Sequence, residues 1–76
     1  MITVKLYGLL RIESGIKEKQ MEAATVKEVL EILSGCGLSP KQLRGCVILR
    51  NGSSAAKHTK LNDGDTVVLM SPVAGG

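Results

Sequence analysis

Apolar and polar residues alternate from the first positions of the chain: Ile2, Val4 and Leu6 share one face, and Thr3, Lys5 and Tyr7 share the other. This period-2 pattern is that of a half-buried strand and predicts one over residues 1–7. Gly8 and Gly15 then bracket Leu9, Leu10, Arg11 and Ile12, a segment that reads as a loop. Residues 16–21 form a poorer strand loaded with Lys17, Glu18 and Lys19, charges that suit a sheet edge. The period changes at Thr25-Val26-Lys27-Glu28, a capping box in which the threonine hydroxyl accepts from the Glu28 amide and the glutamate reaches back. Val26, Val29, Leu30 and Leu33 follow at i, i+3, i+4 and i+7, with Ala24 and Val29 placed for a hydrophobic staple. The spacing predicts a helix over residues 26–34, stopped by Gly35 in the left-handed conformation. Ser39-Pro40 can begin one more short turn.

A short apolar run over residues 46–50 ends at Asn51-Gly52, a strong turn dipeptide, and so reads as a third strand and a reversal. Residues 53–60 are small and polar with room for one short strand, and Leu61 is an isolated apolar anchor. Asn62-Asp63-Gly64-Asp65 follows as a tight turn in which Gly64 takes positive φ. The last strand spans residues 66–70, and Pro72 keeps the remaining segment out of helix and central sheet. The order is strand, strand, helix, strand, short strand, strand, with one main helix available to cover one sheet face. The expectation is an α+β domain of the β-grasp (ubiquitin-like) type, a mixed four- to five-stranded sheet against one main helix. The first and last strands alternate best and should be central. Residues 1–70 would be the domain and residues 71–76 a flexible Gly-Gly tail.

Composition narrows the function classes. The chain has 76 residues, 43% of them hydrophobic, with one Tyr and neither Phe nor Trp, so the core is aliphatic. A domain of this length buries only about 60% of its unfolded surface. Its whole stability is roughly 4 to 11 kcal/mol, which argues against a self-sufficient enzyme with a deep preorganised site. The longest apolar runs, residues 46–49 and 67–70, are far short of the ~20 needed to cross a bilayer. With no secretory signal pattern at the start, a cytoplasmic chain is expected. Cys36 and Cys46 are neither a C-x-x-C pair nor a full ligand set for zinc or an iron–sulfur cluster, and read as reduced structural thiols.

The net charge of +3 is concentrated in the middle of the chain: residues 32–62 carry Lys41, Arg44, Arg50, Lys57 and Lys60 and no acidic residue. A solvated face or an acidic protein partner fits this segment better than nucleic acid, because it lacks aromatic stacking platforms. Strand parity suggests where a partner would sit. If Val67 and Leu69 face the helix, Val68 and Met70 face outward, and the third strand is expected to add Cys46 or Ile48 to that patch, rimmed by Arg44 and Arg50.

Candidate catalytic chemistry is sparse. There is no P-loop, H-E-x-x-H or G-x-S-x-G; the lone His58 sits in a polar segment, and Asp63 and Asp65 on a tight turn supply too few oxygens for a cation, so no metal is expected. What remains is the terminal Gly75-Gly76. With nine glycines in 76 residues such a pair ends a chain by chance about once in 70. Two residues without Cβ let bare backbone thread a narrow channel and present a carboxylate to another protein's active site.

The element order, the stretch Leu61-Asn62-Asp63-Gly64-Asp65-Thr66-Val67 and the tail Ser71-Pro72-Val73-Ala74-Gly75-Gly76 resemble the MoaD/ThiS sulfur-carrier family, most closely its molybdopterin synthase small-subunit branch. Ala24-Thr25-Val26 and Asn51-Gly52 also fit that pattern. Ser71 stands where a first Pro is usual, and Tyr7 where a Phe is usual.

The resemblance implies a protein cosubstrate that does no catalysis itself and binds no cofactor. A ubiquitin-activating-like adenylyltransferase would use ATP to adenylate the Gly76 carboxylate. A persulfide donor would convert it to a thiocarboxylate, and the synthase large subunit would take the sulfur for a pterin in molybdenum cofactor biosynthesis. Gly75, Ala74 and Val73 would thread the channel, and Val68, Met70, Ile48 and Arg50 would meet the partner, with no role for nucleic acid or membrane. Two alternatives remain open. One is a carrier for another acceptor (thiazole, cysteine, a tungsten pterin, tRNA) or a ubiquitin-like protein modifier; the other is a non-covalent interaction module.

Overall fold

The computed structural model describes residues 1–39, 41, 43 and 45–71. Their elements include β1 (Ile2–Tyr7), α1 (Leu9–Ser14), β2 (Glu18–Met21), α2 (Val26–Ser34), β3 (Val47–Arg50), β4 (Ser53–Ser54) and β5 (Thr66–Met70), and Lys41 and Leu43 are helical as well. The strands make one mixed sheet in the order β2-β1-β5-β3-β4. β1 and β5 are parallel neighbours, with Val4 opposite Val67 and Leu6 opposite Leu69, while β2, β3 and β4 pair antiparallel. The two best-alternating strands therefore lie inside the sheet, and the charged β2 lies at one edge.

Burial follows from that pairing. Ile2, Val4 and Leu6 of β1 and Val67 and Leu69 of β5 meet Val26, Val29, Leu30 and Leu33 of α2 in one aliphatic core. Leu10, Leu38, Leu43 and Leu61 close its margins. The opposite face carries Thr3, Lys5, Tyr7, Val47, Leu49, Thr66, Val68 and Met70, none of which is buried.

Helix α2 begins where the capping box places it. Thr25 Oγ1 accepts from the Glu28 amide at 3.3 Å, and Glu28 Oε1 accepts at 2.9 Å from the Ala24 amide, one residue before the Thr25 amide on which a capping box closes. The next amides have tertiary partners: Val26 N–H donates to the Thr59 carbonyl and Lys27 N–H to the Lys57 carbonyl. The stop differs from expectation. Gly35 keeps right-handed helical φ and ψ, and the reversal to positive φ occurs at Gly37, with φ of 104°.

Residues 9–14 are a second correction, being helical rather than a loop. Arg11 and Ile12 amides donate to the Gly8 carbonyl, and Gly15 at φ 73° closes the far end. Only Leu10 of this helix is buried, while Leu9 and Ile12 stay exposed, so no amphipathic period marks it in the sequence. β2 starts at Glu18, two residues later than the pattern suggested, with Ile16 packed against the core. The Asn51-Gly52 reversal is a two-residue hairpin with φ of 50° and 86°, the positive pair that a right-twisted hairpin favours.

Candidate functional site

Three features frame β5: an open apolar face and the root of the tail at the end where the strand leaves the sheet, and a buried carboxylate clamp at the opposite end, where it begins. The face is set by register. Tyr7, Met70 and Val47 are aligned across β1, β5 and β3, and Lys5, Val68 and Leu49 form the next row. At about 4.8 Å between strands, each row spans about 10 Å. Tyr7 is 42% exposed and Val47 is 47% exposed, at the end of the sheet from which the chain departs.

The same register corrects the expected membership of this face. Ile48 lies opposite Leu69 and packs against the core, Cys46 is packed on the core as well, and Arg50 lies opposite Val67, so none of the three joins Val68 and Met70. Val47 and Leu49 take their place. The sequence left the phase of this short run undetermined because four consecutive apolar or long side chains do not alternate, and only pairing with β5 decides which of them point away from α2. Arg44, the other expected rim residue, lies outside the described residues.

Arg50 has a different task. Its Nε donates to Asp65 Oδ2 at 2.7 Å, the Asn62 amide donates to the same oxygen at 2.8 Å, and Asn51 Nδ2 donates to Asp65 Oδ1 at 3.0 Å. Asn51 also accepts the Thr66 amide through Oδ1 at 2.9 Å, which ties the hairpin to the first residue of β5. The Asp65 backbone carbonyl accepts from the Thr3 amide. Asp65 is a buried charged side chain, and these donors hold its carboxyl down to about 2, the Asn62 amide first, then Asn51 and Arg50, against the opposing effect of burial. The turn motif Asn62-Asp63-Gly64-Asp65 does not by itself reveal this clamp; the readable signal is an Arg-Asn pair ending one strand and an Asp opening its neighbour.

The tail root is the third feature. Ser71 Oγ accepts from the Leu9 amide at 2.7 Å, joining the end of β5 to the first residue of α1. Gly8 stands beside it at φ 68°, and a Cβ on Gly8 would lie 2.7 Å from Ser71 Oγ. The positive φ favours glycine there, and a Cβ would displace the Ser71 hydroxyl from its place. Val73, Ala74, Gly75 and Gly76, the residues expected to thread and react, lie outside the described residues.

The remaining candidates have their own surroundings. Cys36 and Cys46 are free thiols, and Cys46 Sγ donates to the Leu43 carbonyl at 2.9 Å. Burial pushes the Cys46 thiol up, away from the thiolate a nucleophile needs. His58 is exposed in the turn after β4. Among the described residues no group of three His, Cys, Asp or Glu side chains could hold a metal ion, and no helix is long and apolar enough to cross a membrane.

Parallel first and last strands inside a mixed sheet, with one main helix across one face, define a β-grasp domain of the ubiquitin-like class. The ThiS family model matches residues 4–76, and the chain belongs to this family of ubiquitin-like sulfur carriers. No curated protein is a significant match. Among solved structures the chain is similar to SAMP1 from Haloferax volcanii, at 28% identity and a TM-score of 0.86, covering 99% of this chain and 98% of that one. It is similar to a chain of the complex between subunits 1 and 2 of molybdopterin-converting factor from Helicobacter pylori 26695, at 27% identity and a TM-score of 0.73, covering 99% and 97%. The fold is also that of a chain in the Amycolatopsis orientalis BexX/CysO complex, at 24% identity and a TM-score of 0.76, covering 100% of both. The last two relatives were solved bound to a partner protein.

Proposed function

We propose that this chain is a protein cosubstrate whose Gly76 carboxylate is activated and converted to a thiocarboxylate, and that its sulfur goes to molybdopterin. The observation that carries the reading is the extent of the family match, which runs through the whole tail to Gly76. Residues 1–70 act as the handle that a partner grips, and residues 71–76 act as the reacting arm. The open face around Tyr7, Met70 and Val47 adjoins the root of that arm, so one partner can hold the face and receive the tail.

A carboxylate is a poor electrophile, so activation comes first. The Gly76 carboxylate oxygen attacks the α-phosphorus of ATP on a ubiquitin-activating-like adenylyltransferase, releasing pyrophosphate and leaving an acyl-adenylate. The terminal sulfur of a persulfide on the donor attacks the acyl carbon, and AMP departs with the electron pair. A thiol then attacks the donor-side sulfur of the acyl disulfide, forming a new disulfide and freeing the Gly76 thiocarboxylate. ATP is consumed by the partner, and the carrier holds no cofactor. In the synthase the large subunit receives the tail, and the sulfur passes to a cyclic pterin phosphate.

A second reading, a protein modifier joined through Gly76 to amines of other proteins, draws on the similarity to SAMP1. Intact mass separates the two. With the adenylyltransferase of the same genome, ATP and a persulfide donor, the carrier exchanges one oxygen for one sulfur, and a modifier appears joined to other chains. Sulfur transfer to the pterin by the isolated large subunit, with the thiocarboxylate form as sole sulfur source, tests the molybdopterin assignment. Transfer only to another acceptor would overturn that assignment and keep the carrier.

A further inference from the structure

Resting on the carrier reading above, we infer that Ser71 is a positioning residue that sets the direction in which the reacting arm leaves the domain. Two observations describe the same contact from its two sides. Its hydroxyl accepts the Leu9 amide at 2.7 Å across a sequence separation of 62 residues. The contact is possible only because Gly8 has no side chain, since a Cβ there would lie 2.7 Å from Ser71 Oγ. Gly8 also carries φ of 68°, so the backbone conformation and the vacant space serve the same contact.

Five residues follow Ser71, and fully extended they reach about 17 Å. An angular change of about 20° at the root therefore moves the far end by about 6 Å. Free rotation at residue 71 would spread the arm over directions that mostly miss a channel entrance. A hydrogen bond that biases the root raises the fraction of carriers able to enter, and the apparent affinity rises with that fraction. Once the arm is seated, the channel itself fixes its path, so the hydroxyl matters for entry and not for the acyl transfer.

The test is steady-state adenylation by the adenylyltransferase of the same genome, with the carrier as varied substrate. Ser71→Ala should raise KM about threefold to tenfold, the range a single such hydrogen bond controls, with kcat within about twofold. Ser71→Thr, which keeps the hydroxyl, should restore KM, and Gly8→Ala, which pushes the hydroxyl off the Leu9 amide, should raise KM as Ser71→Ala does and, because φ there is 68°, also lower the unfolding midpoint. Amide exchange at Leu9 should quicken in Ser71→Ala and stay slow in Ser71→Thr. An unchanged KM in Ser71→Ala with a normally charged parent would overturn the positioning role and leave the carrier reading intact. A parent that is never charged would overturn the carrier reading and this role with it. Loss of folding in both Ser71→Ala and Gly8→Ala would make the contact purely structural and likewise overturn the inference.

Discussion

Asp65 is the residue at which charge, burial and topology meet. A carboxylate removed from water is stable only when its oxygens find donors, and here the Asn62 amide, Asn51 and Arg50 supply them. They lower its pKa from 3.8 to about 2. Between those values the unfolded chain binds more protons than the folded one, so the stabilisation is complete above about pH 4 and is lost as the pH falls through about 2. Asp65→Asn should remove this part of the acid transition and lower the urea midpoint at neutral pH, measured by denaturation at a series of pH values. A second residue-scale prediction concerns the arm. Deleting Gly76 should abolish adenylation while the unfolding midpoint stays within error, and Gly75→Val should do much the same, because a β-branched side chain stiffens the backbone and adds bulk. Intact mass after incubation with the activating enzyme and ATP reads both, and equal charging of the truncated chain would end the carrier reading.

At the scale of elements, helix α2 has the most local support. Its cap, its apolar stripe and its glutamate were all present in residues 24–34, and the structure adds carbonyls from Thr59 and Lys57 on the first two amides. Because those amides have tertiary partners, and the Thr25 hydrogen bond is long at 3.3 Å, Thr25→Ala should cost about 0.5–1 kcal/mol, the lower part of the usual range for an N-cap. A urea midpoint that does not move would show that the loop carbonyls alone define the helix start. Helix α1 contrasts with this: six residues with only Leu10 buried are held by the turn at Gly8 and by contact with β1 and β5, not by periodicity.

For the whole molecule, the division of the sheet into a helix-covered face and an open face gives a paired test. Val47→Asp and Met70→Asp lie on the open face and should weaken partner binding about tenfold or more. Val47→Asp should change stability by no more than about 1 kcal/mol. Ile48→Asp, one residue away but facing the core, should destabilise by about 1–3 kcal/mol. Calorimetric binding to the adenylyltransferase together with denaturant midpoints would separate the two faces. Equal stability losses for Val47→Asp and Ile48→Asp would refute the register.

The sequence by itself determined what depends on neighbours a few positions away. The alternation of Ile2, Val4 and Leu6, the stripe of α2, its capping box, the Asn51-Gly52 hairpin and the positive φ of Gly64 are local matters, because a strand repeats every two residues and a helix every 3.6. Together with the Gly75-Gly76 end they were enough to suggest the fold and the family. Tertiary structure decided whatever joins distant positions. It chose the phase of β3, placing Val47 and Leu49 on the open face and Ile48 in the core. It buried Asp65 among donors from residues 50, 51 and 62, and it brought Ser71 against Gly8 and Leu9. A run such as residues 46–50 has no internal alternation, so nothing within it distinguishes its faces. Only the ladder with β5, and through it the single core beneath α2, supplies the energy difference that selects one.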